Sequence, residues 1–433
     1  MPPTVAAPQP LAADAAAGCK SGRDGARGLL TVEAARSRLL ADAGPVAGED
    51  ELPLGGAAGR VLAAAVRAAF PLPPFDRAAV DGYGLGNGGP GPFRLLGAVP
   101  AGATGPDRVA PGEAVRLLTG ARVPEGVHAV AMQEGCRLAA AGGDTLVHAA
   151  PAPRPGENIR RAGEDVEEGG RLLPAGVRLD ARHLALLAAA GLGAAKVRRR
   201  PRVALLSCGD ELLPPGAAAR DAAVHDSNRP MLGALLAAAG AEVVDLGLLP
   251  DDRPVIAGAL ARGAAGCDAV LASGGVSGSE ADHLLGALRD AGGEGAWAAI
   301  ALKPGKPLVF GRLGAARCLF LPGNPVAALV GALLFARPLL DRLSGAPDRP
   351  VRGLPASAAA GWDRRPGREE FAPAVVVGTG PALRVERVGR PGSARLVPLA
   401  AADGLVRVGA GAGPVRPGDR VEFFPFSAPF ELD

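Results

Sequence analysis

The sequence predicts a multidomain α/β protein: a doubly wound, mainly parallel sheet domain, preceded by a region with a small β-rich domain and followed by a C-terminal β-barrel. Three observations carry this. At 433 residues the chain exceeds what one hydrophobic core organises, so about two to four domains are expected. After the basic stretch Lys196–Arg202, apolar strands alternate with helix-period segments, the signature of a parallel sheet covered by helices. Beyond about Ala346, a Pro/Arg-rich linker leads into short strands only.

Taken in order, Met1–Arg27 is Ala/Pro/Gly-rich, with no basic segment leading into an apolar one, and reads as a disordered arm rather than a signal. Residues 28–198 follow as an N-terminal region. Leu and Ala at spacings of three and four predict a helix over Val32–Ala43, with a short apolar stretch around Arg60–Ala68. Short Val/Leu runs broken by Pro and Gly predict strands at Phe93–Val99, Ala114–Leu118, Ala129–Gln133 and Thr145–Ala149, a β-rich subdomain of residues 93–150. The polar, turn-rich Asn158–Val177 leads to a helix at Asp180–Ala190.

The sheet domain is expected over residues 199–346. Its strands are Val203–Ser207, Glu242–Leu248, Ala269–Ser273 and Cys318–Leu321, and its helices Arg229–Ala239, Arg253–Gly263, Ala281–Ala291 and Val326–Leu343. Over residues 350–433, strands at Phe371–Val377, Ala382–Arg387, Ala394–Leu399, Leu405–Val408 and Arg420–Phe424 predict the barrel.

Composition narrows the function. A net charge of +3, spread along the chain, gives no reason to expect a nucleic-acid partner and leaves only a small-anion site open. Five cysteines without a Cys-x-x-Cys pair, and five histidines without ligand spacing, fit a reduced cytoplasm and no structural zinc. No apolar run reaches the ~18 residues of a membrane span. In a chain where arginine is the default cation, the only lysines are Lys20, Lys196, Lys303 and Lys306, so two of them fall in one five-residue segment. A retained lysine points to a need for a compact point charge.

Candidate site residues collect in the polar turns at the strand ends, where ligands bind in such sheets. Gly274 and Gly275, followed by Ser277, end a strand and can offer backbone N–H groups to phosphate oxygens; a tight turn is the competing reading, and the nearby Glu280 and Asp282 add carboxylates suited to Mg²⁺. Lys303-Pro304-Gly305-Lys306-Pro307 can aim two ammonium groups at an oxyanion, with a solvated loop as the alternative. Asp210-Glu211 and Asp226-Ser227-Asn228 are ligands or helix caps, with neither reading preferred. Pro322-Gly323-Asn324-Pro325 offers its backbone to a ring or a phosphate, or is turn chemistry alone. In the N-terminal half, Pro74–Tyr83 sets Asp76 and Asp81 in an otherwise apolar-aromatic context, with an Asp-capped turn as the competing reading, and Thr119, Gln133-Glu134 and the Asn158–Asp165 run, with Glu164, extend the polar inventory.

Read in order, PPFDRAAVDGYG, LTGARVPEGVHAVAMQE, GENIRRAGEDVEEGGRLLPAG, VALLSCGDEL, DSNRPML, LASGGVSGSEAD, LKPGKPLVFG and LPGNPVAA resemble the molybdopterin molybdotransferase family, called MoeA in bacteria and the E domain in gephyrin-like proteins. The resemblance runs from about Leu29 to the C-terminus. It implies an elongated N-terminal region and a homodimer with a shared active site. It implies substrates, adenylylated molybdopterin and molybdate, and Mg²⁺-assisted release of AMP. By position it assigns molybdate contacts to Lys303, Pro304, Arg368 and Ser393, and catalytic or Mg²⁺-linked acids to Asp210, Asp226 and Asp282. Asp76, Asp81, Thr119, Glu134 and Glu164 match groups from the N-terminal part. A contact with the preceding molybdopterin adenylyltransferase is also implied.

The chain departs from the family pattern at Ala78, Val80, Cys208, Gly278-Ser279, Leu285, Ala327 and Pro373. Two rival functions share the resemblance: a non-catalytic dimeric scaffold, and adenylylation of molybdopterin by the sheet domain. Retained Asp282 and Lys303 argue against the first, and the long N-terminal half and barrel against the second.

Overall fold

The structure, a computed structural model, describes residues 28–276, 283–348, 352–378, 382–390 and 392–426. The chain divides into two compact units, Gly48–Arg198 and the remainder on either side of it.

In the second of these, six strands lie in the order Glu242–Leu249, Arg202–Cys208, Ala269–Ser273, Ala316–Leu321, Pro307–Leu313, Glu294–Ala299. The first three pairings are parallel and the last two antiparallel. The central strands are apolar without polar alternation because helices cover both faces. Side chains alternate across the pleat. Val203, Leu205, Leu271, Leu319 and Leu321 therefore enter a core with Leu232, Leu236 and Phe335, while Ala204, Leu206, Val270 and Phe320 enter another with Ile256, Leu260 and Leu288.

The first helix, Val32–Leu40, is capped by Thr31, whose hydroxyl accepts from the Ala34 N–H at 3.1 Å. Its Ala35, Leu39 and Leu40 join the first of those cores, so residues 28–47 pack with the sheet rather than with the residues that follow them.

Three features of this unit depart from the sequence reading. The antiparallel pair Glu294–Ala299 and Pro307–Leu313 was not anticipated, because the outer strand is Gly/Ala-rich and largely exposed and so lacks an apolar period. The expected helix Val326–Leu343 starts at Pro325 and carries a π turn at Ala332–Ala336. Pro338 has no N–H to donate to the preceding turn, and the ladder widens just before it. Only Leu284–Asp290 of the expected Ala281–Ala291 helix falls in a helix among the described residues.

The C-terminal strands close on themselves: Glu369–Val376, Arg384–Arg387, Leu354–Ala358, Arg420–Pro425 and Gly404–Val408, the last pairing again with the first. This is a five-stranded barrel filled by Ala358, Ala374, Val385, Val406 and Phe423. Ala394–Leu399, expected as a strand, is instead a short helix, Leu396–Ala400. Pro398 cannot donate to a β-ladder but is tolerated in a first helical turn.

The unit Gly48–Arg198 holds a six-stranded sheet in the order Ala129–Met132, Gly82–Leu85, Glu113–Leu117, Phe93–Val99, Asp144–Ala149, Cys136–Ala141. Gly82–Leu85 is central yet glycine-rich, so no strand signal marked it. Glu49–Pro53 pairs with Ala194–Arg198, and the helix Ala181–Ala189 starts at a capping box of Asp180 and His183.

Asp268, just before the central strand, accepts two bonds from the Arg199 guanidinium at 2.7 and 2.8 Å and one from the Arg202 N–H at 2.7 Å. Burial penalises its charge, but these donors prevail and hold the carboxyl below its ordinary range. A carboxylate with a depressed folded pKa stabilises the protein above its unfolded pKa, and that stability is lost as pH falls through the folded value. Asp268→Asn is expected to cost about 2 kcal/mol at neutral pH and to flatten the acid limb of the stability profile below about pH 4. Urea titrations at several pH values check both.

Candidate active site

At the carboxyl ends of the parallel strands three turns converge: Cys208-Gly209, Ser273-Gly274-Gly275 and Pro322-Gly323-Asn324. Together with the Lys303–Pro307 loop and one side of the barrel they line a cavity of about 940 Å³. The turns approach closely. Gly274 has φ +101°, and a Cβ there would lie 2.2 Å from the Cys208 carbonyl oxygen. Its N–H donates to the Leu321 carbonyl at 3.2 Å. Asn228 pins the turns together, its Nδ2 donating to Ser273 Oγ at 2.6 Å and to the Gly323 carbonyl at 2.7 Å. The Asn228 Oδ1 is buried and has no hydrogen-bond partner among the described residues.

The facing wall is cationic. Leu302–Lys303 forms a two-residue strand that pairs in parallel with Glu369–Glu370, so Lys303 sits in register with Glu370. Lys303 Nζ lies 3.1 Å from Glu370 Oε1. Glu370 is only 3% exposed, and its carboxylate also meets Arg387 Nη1 at 3.3 Å and Arg364 Nε at 3.1 Å. Arg364, itself buried, donates to the Arg368 carbonyl at 2.7 Å and so fixes the backbone that carries Arg368. Lys306, Arg368, Arg390 and Arg395 also line the cavity. Ser393 accepts from the Val326 N–H at 3.0 Å through its carbonyl, tying the barrel loop to the helix that follows Asn324. Pro304, Pro322, Asn324 and Ser393 all belong to the lining. So many fixed cations around one concavity suit a multiply charged oxyanion.

The acids divide differently. Asp226 is 2% exposed, and its Oδ1 accepts from the Asn228 and Arg229 N–H groups, both at 3.1 Å, while Oδ2 faces Arg229 Nε at 3.2 Å. Both oxygens accept bonds at the start of the helix Asn228–Ala238, and Asp226 also lines the cavity. Asp210 does not line the cavity; its carboxylate accepts from the Asp251 N–H at 3.1 Å. Glu211 and Asp251 line it instead. Ser277, Glu280 and Asp282 lie outside the described residues. Among the described residues no three His, Cys, Asp or Glu side chains gather as a metal site. Asp226→Ala, which leaves two N–H groups unpaired and Arg229 with Asp245 alone, is expected to cost about 2–3 kcal/mol, a loss read in denaturant that added Mg²⁺ does not restore.

In the unit Gly48–Arg198 the expected residues form two groups. The Thr119 hydroxyl and N–H donate to Asp81 Oδ1 at 2.6 and 2.7 Å and hold that carboxyl below its usual range. Asp76 pairs with Arg161 and accepts from the Ala162 N–H at 2.8 Å. Glu164 pairs with Arg160, which holds its carboxyl down, and accepts from the Arg161 N–H at 2.9 Å. Glu134 Oε1 accepts from Gln133 Nε2 at 3.3 Å.

The sequence reading missed Glu370, Arg387 and Asp251. The charged ladder of Glu370 becomes visible only once Lys303 is seen to join the barrel, a pairing across 67 positions that no local pattern announces. Of the departures from the family pattern, Cys208, Ala327 and Pro373 line the cavity, while Ala78 and Leu285 pack in cores. Burial pushes the Cys208 thiol up to about 12, aided by the Asp251 charge, so it is a filler and not a nucleophile.

Family models match three consecutive stretches: the MoeA N-terminal region (domain I and II) over residues 30–191, a probable molybdopterin binding domain over 204–342, and the MoeA C-terminal region (domain IV) over 355–426. A Haemophilus influenzae protein named molybdopterin molybdenumtransferase is 38% identical over 320 residues, 73% of this chain and 78% of that protein. Molybdopterin molybdenumtransferase 2 of Mycobacterium tuberculosis is 35% identical over 375 residues, 82% and 90% of the two chains. The crystal structure of the molybdopterin biosynthesis MoeA protein from Pyrococcus horikoshii OT3 superposes with a TM-score of 0.75 at 28% identity, covering 92% of this chain and all of that one.

Proposed function

Because the chain belongs to the MoeA family, we propose that it is a molybdopterin molybdenumtransferase, an enzyme of molybdenum cofactor biosynthesis that inserts molybdate into adenylylated molybdopterin and releases AMP. The observation that carries this reading is the cationic wall of Lys303, Arg368 and Arg387 facing the glycine turns across one cavity.

In this reading the phosphate of the pterin substrate lies against the Gly274-Gly275 turn. The Gly274 N–H is already committed to Leu321, so Gly274 acts by permitting close approach and Gly275 is the donor that the turn offers. Molybdate sits against Lys303, Pro304, Lys306, Arg368 and Ser393, where fixed cations offset its double charge beside a second anion. Water then adds to a phosphorus of the phosphoanhydride, the bridging P–O bond breaks and AMP leaves, while the cations stabilise the charge gathering on the departing phosphate. Asp282 is proposed as the acid beside that phosphate. Mg²⁺ is part of the proposal: Asp226 lines the cavity, Asp282 lies outside the described residues, and the described residues alone do not gather three ligands for it.

The proposal extends to a cytoplasmic homodimer with a shared active site, in which Asp76, Asp81, Thr119 and Glu164 contribute from the N-terminal part, and to a contact with the adenylyltransferase that supplies the substrate. No helix among the described residues is long and apolar enough to cross a membrane.

The test is to incubate purified protein with adenylylated molybdopterin, Mg²⁺ and varying molybdate. AMP release that requires molybdate is the expected result. ATP consumption that ignores molybdate would favour adenylyl transfer, and no turnover of either kind a scaffold.

A further inference from the structure

The buried carboxylate of Glu370 is out of place in a wall built to hold anions. Three cations touch it, Lys303 at 3.1 Å, Arg364 at 3.1 Å and Arg387 at 3.3 Å, and Lys303 and Arg387 line the cavity. If gripping an oxyanion were the only demand, a neutral residue here would serve better, since a negative charge this close to the binding cations repels the ligand. The opposite demand comes from the empty site. Arg364 is 1% and Arg387 12% exposed at the side chain, so without a resident anion these cations would repel one another with little water to screen them.

We propose that Glu370 is the resident counter-anion of the oxyanion site: it holds the cations in place when no substrate is bound, and weakens the site's grip according to the charge of the oxyanion that enters. The proposal rests on the reading of the cavity as a molybdate site and deepens it, naming doubly charged tetrahedral oxyanions as the class whose affinity Glu370 regulates. Glu370 itself lines the cavity, so it acts on the entering anion through its charge as well as by positioning Lys303 and Arg387. Its place in the barrel strand opposite Lys303 sets that geometry through backbone pairing, independently of the charge.

Charge regulation has a signature that mere anchoring lacks. Molybdate and perrhenate are tetrahedral oxyanions of similar size, one doubly and one singly charged. Removing one negative charge changes the Coulomb term in proportion to ligand charge, so the effect on log affinity should be twice as large for molybdate.

The experiment measures binding of each anion alone to full-length wild type and Glu370→Gln by equilibrium dialysis at fixed ionic strength. In the variant, perrhenate is expected to tighten by about three- to tenfold and molybdate by about the square of that factor, roughly ten- to a hundredfold. Weaker binding, no change, or equal gains for the two anions would overturn the inference and leave the proposed function standing. Wild-type protein that takes up neither anion would instead remove the molybdate reading of the cavity. The variant is prepared in chloride and, in parallel, with molybdate present: recovery only with molybdate supports a counter-anion, while failure in both assigns Glu370 to the fold alone and overturns the proposal.

Discussion

Lys303→Ala is expected to raise the molybdate concentration giving half-maximal AMP release by about 30- to 100-fold, the value of one charge-assisted contact of 2–3 kcal/mol, while the requirement for adenylylated molybdopterin changes little. The separation follows from where the side chain stands. Lys303 belongs to the wall that faces the turns, and its strand is held to Glu369–Glu370 by main-chain pairing that alanine retains. Its removal leaves Glu370 paired with Arg364 and Arg387, so the carboxylate is not orphaned and the barrel keeps its core. Steady-state assays with one substrate varied at a time check the split. An equal rise for both substrates, or wild-type kinetics, would contradict the assignment of Lys303 to molybdate.

Gly274→Ala is expected to be more damaging. The new Cβ would sit 2.2 Å from a backbone oxygen that cannot swing aside, at a φ of +101° that alanine rarely adopts. Relief requires the Cys208 turn and the Gly274 turn to separate, which also strains the Asn228 bond to Ser273. A loss of about 3 kcal/mol or more in stability is expected, together with loss of AMP release even under conditions where the variant is folded. Denaturant midpoints and turnover in the same preparations check this. A variant that folds and turns over normally would show that the close approach is dispensable.

The two residues show what the sequence could and could not disclose. The parallel strands were legible because burial on both faces leaves unbroken apolar runs, and the run at Ala269–Ser273 coincides with the strand found. The lysine pair was legible through scarcity alone. The strands Gly82–Leu85 and Glu294–Ala299 were not, since each is built from glycine and alanine and takes its identity from its neighbours. Ala394–Leu399 carried the apolar content of a strand, and Pro398 turned it into a helix. Within the site, Asp226 both starts a helix and lines the cavity, so cap and ligand read alike in the sequence, and Glu370 could not be weighed at all without the pairing that brings three cations to it.

That pairing also sets an order of events. The glycine turns are complete within the first 325 residues, but Arg368, Glu370, Arg387 and Ser393 are among the last parts of the chain to be made. Lys303 waits for a barrel strand synthesised some 67 residues later before it has a register to occupy. A chain truncated before Arg368 therefore carries the glycine turns without Arg368, Glu370 and Arg387 of the wall that faces them.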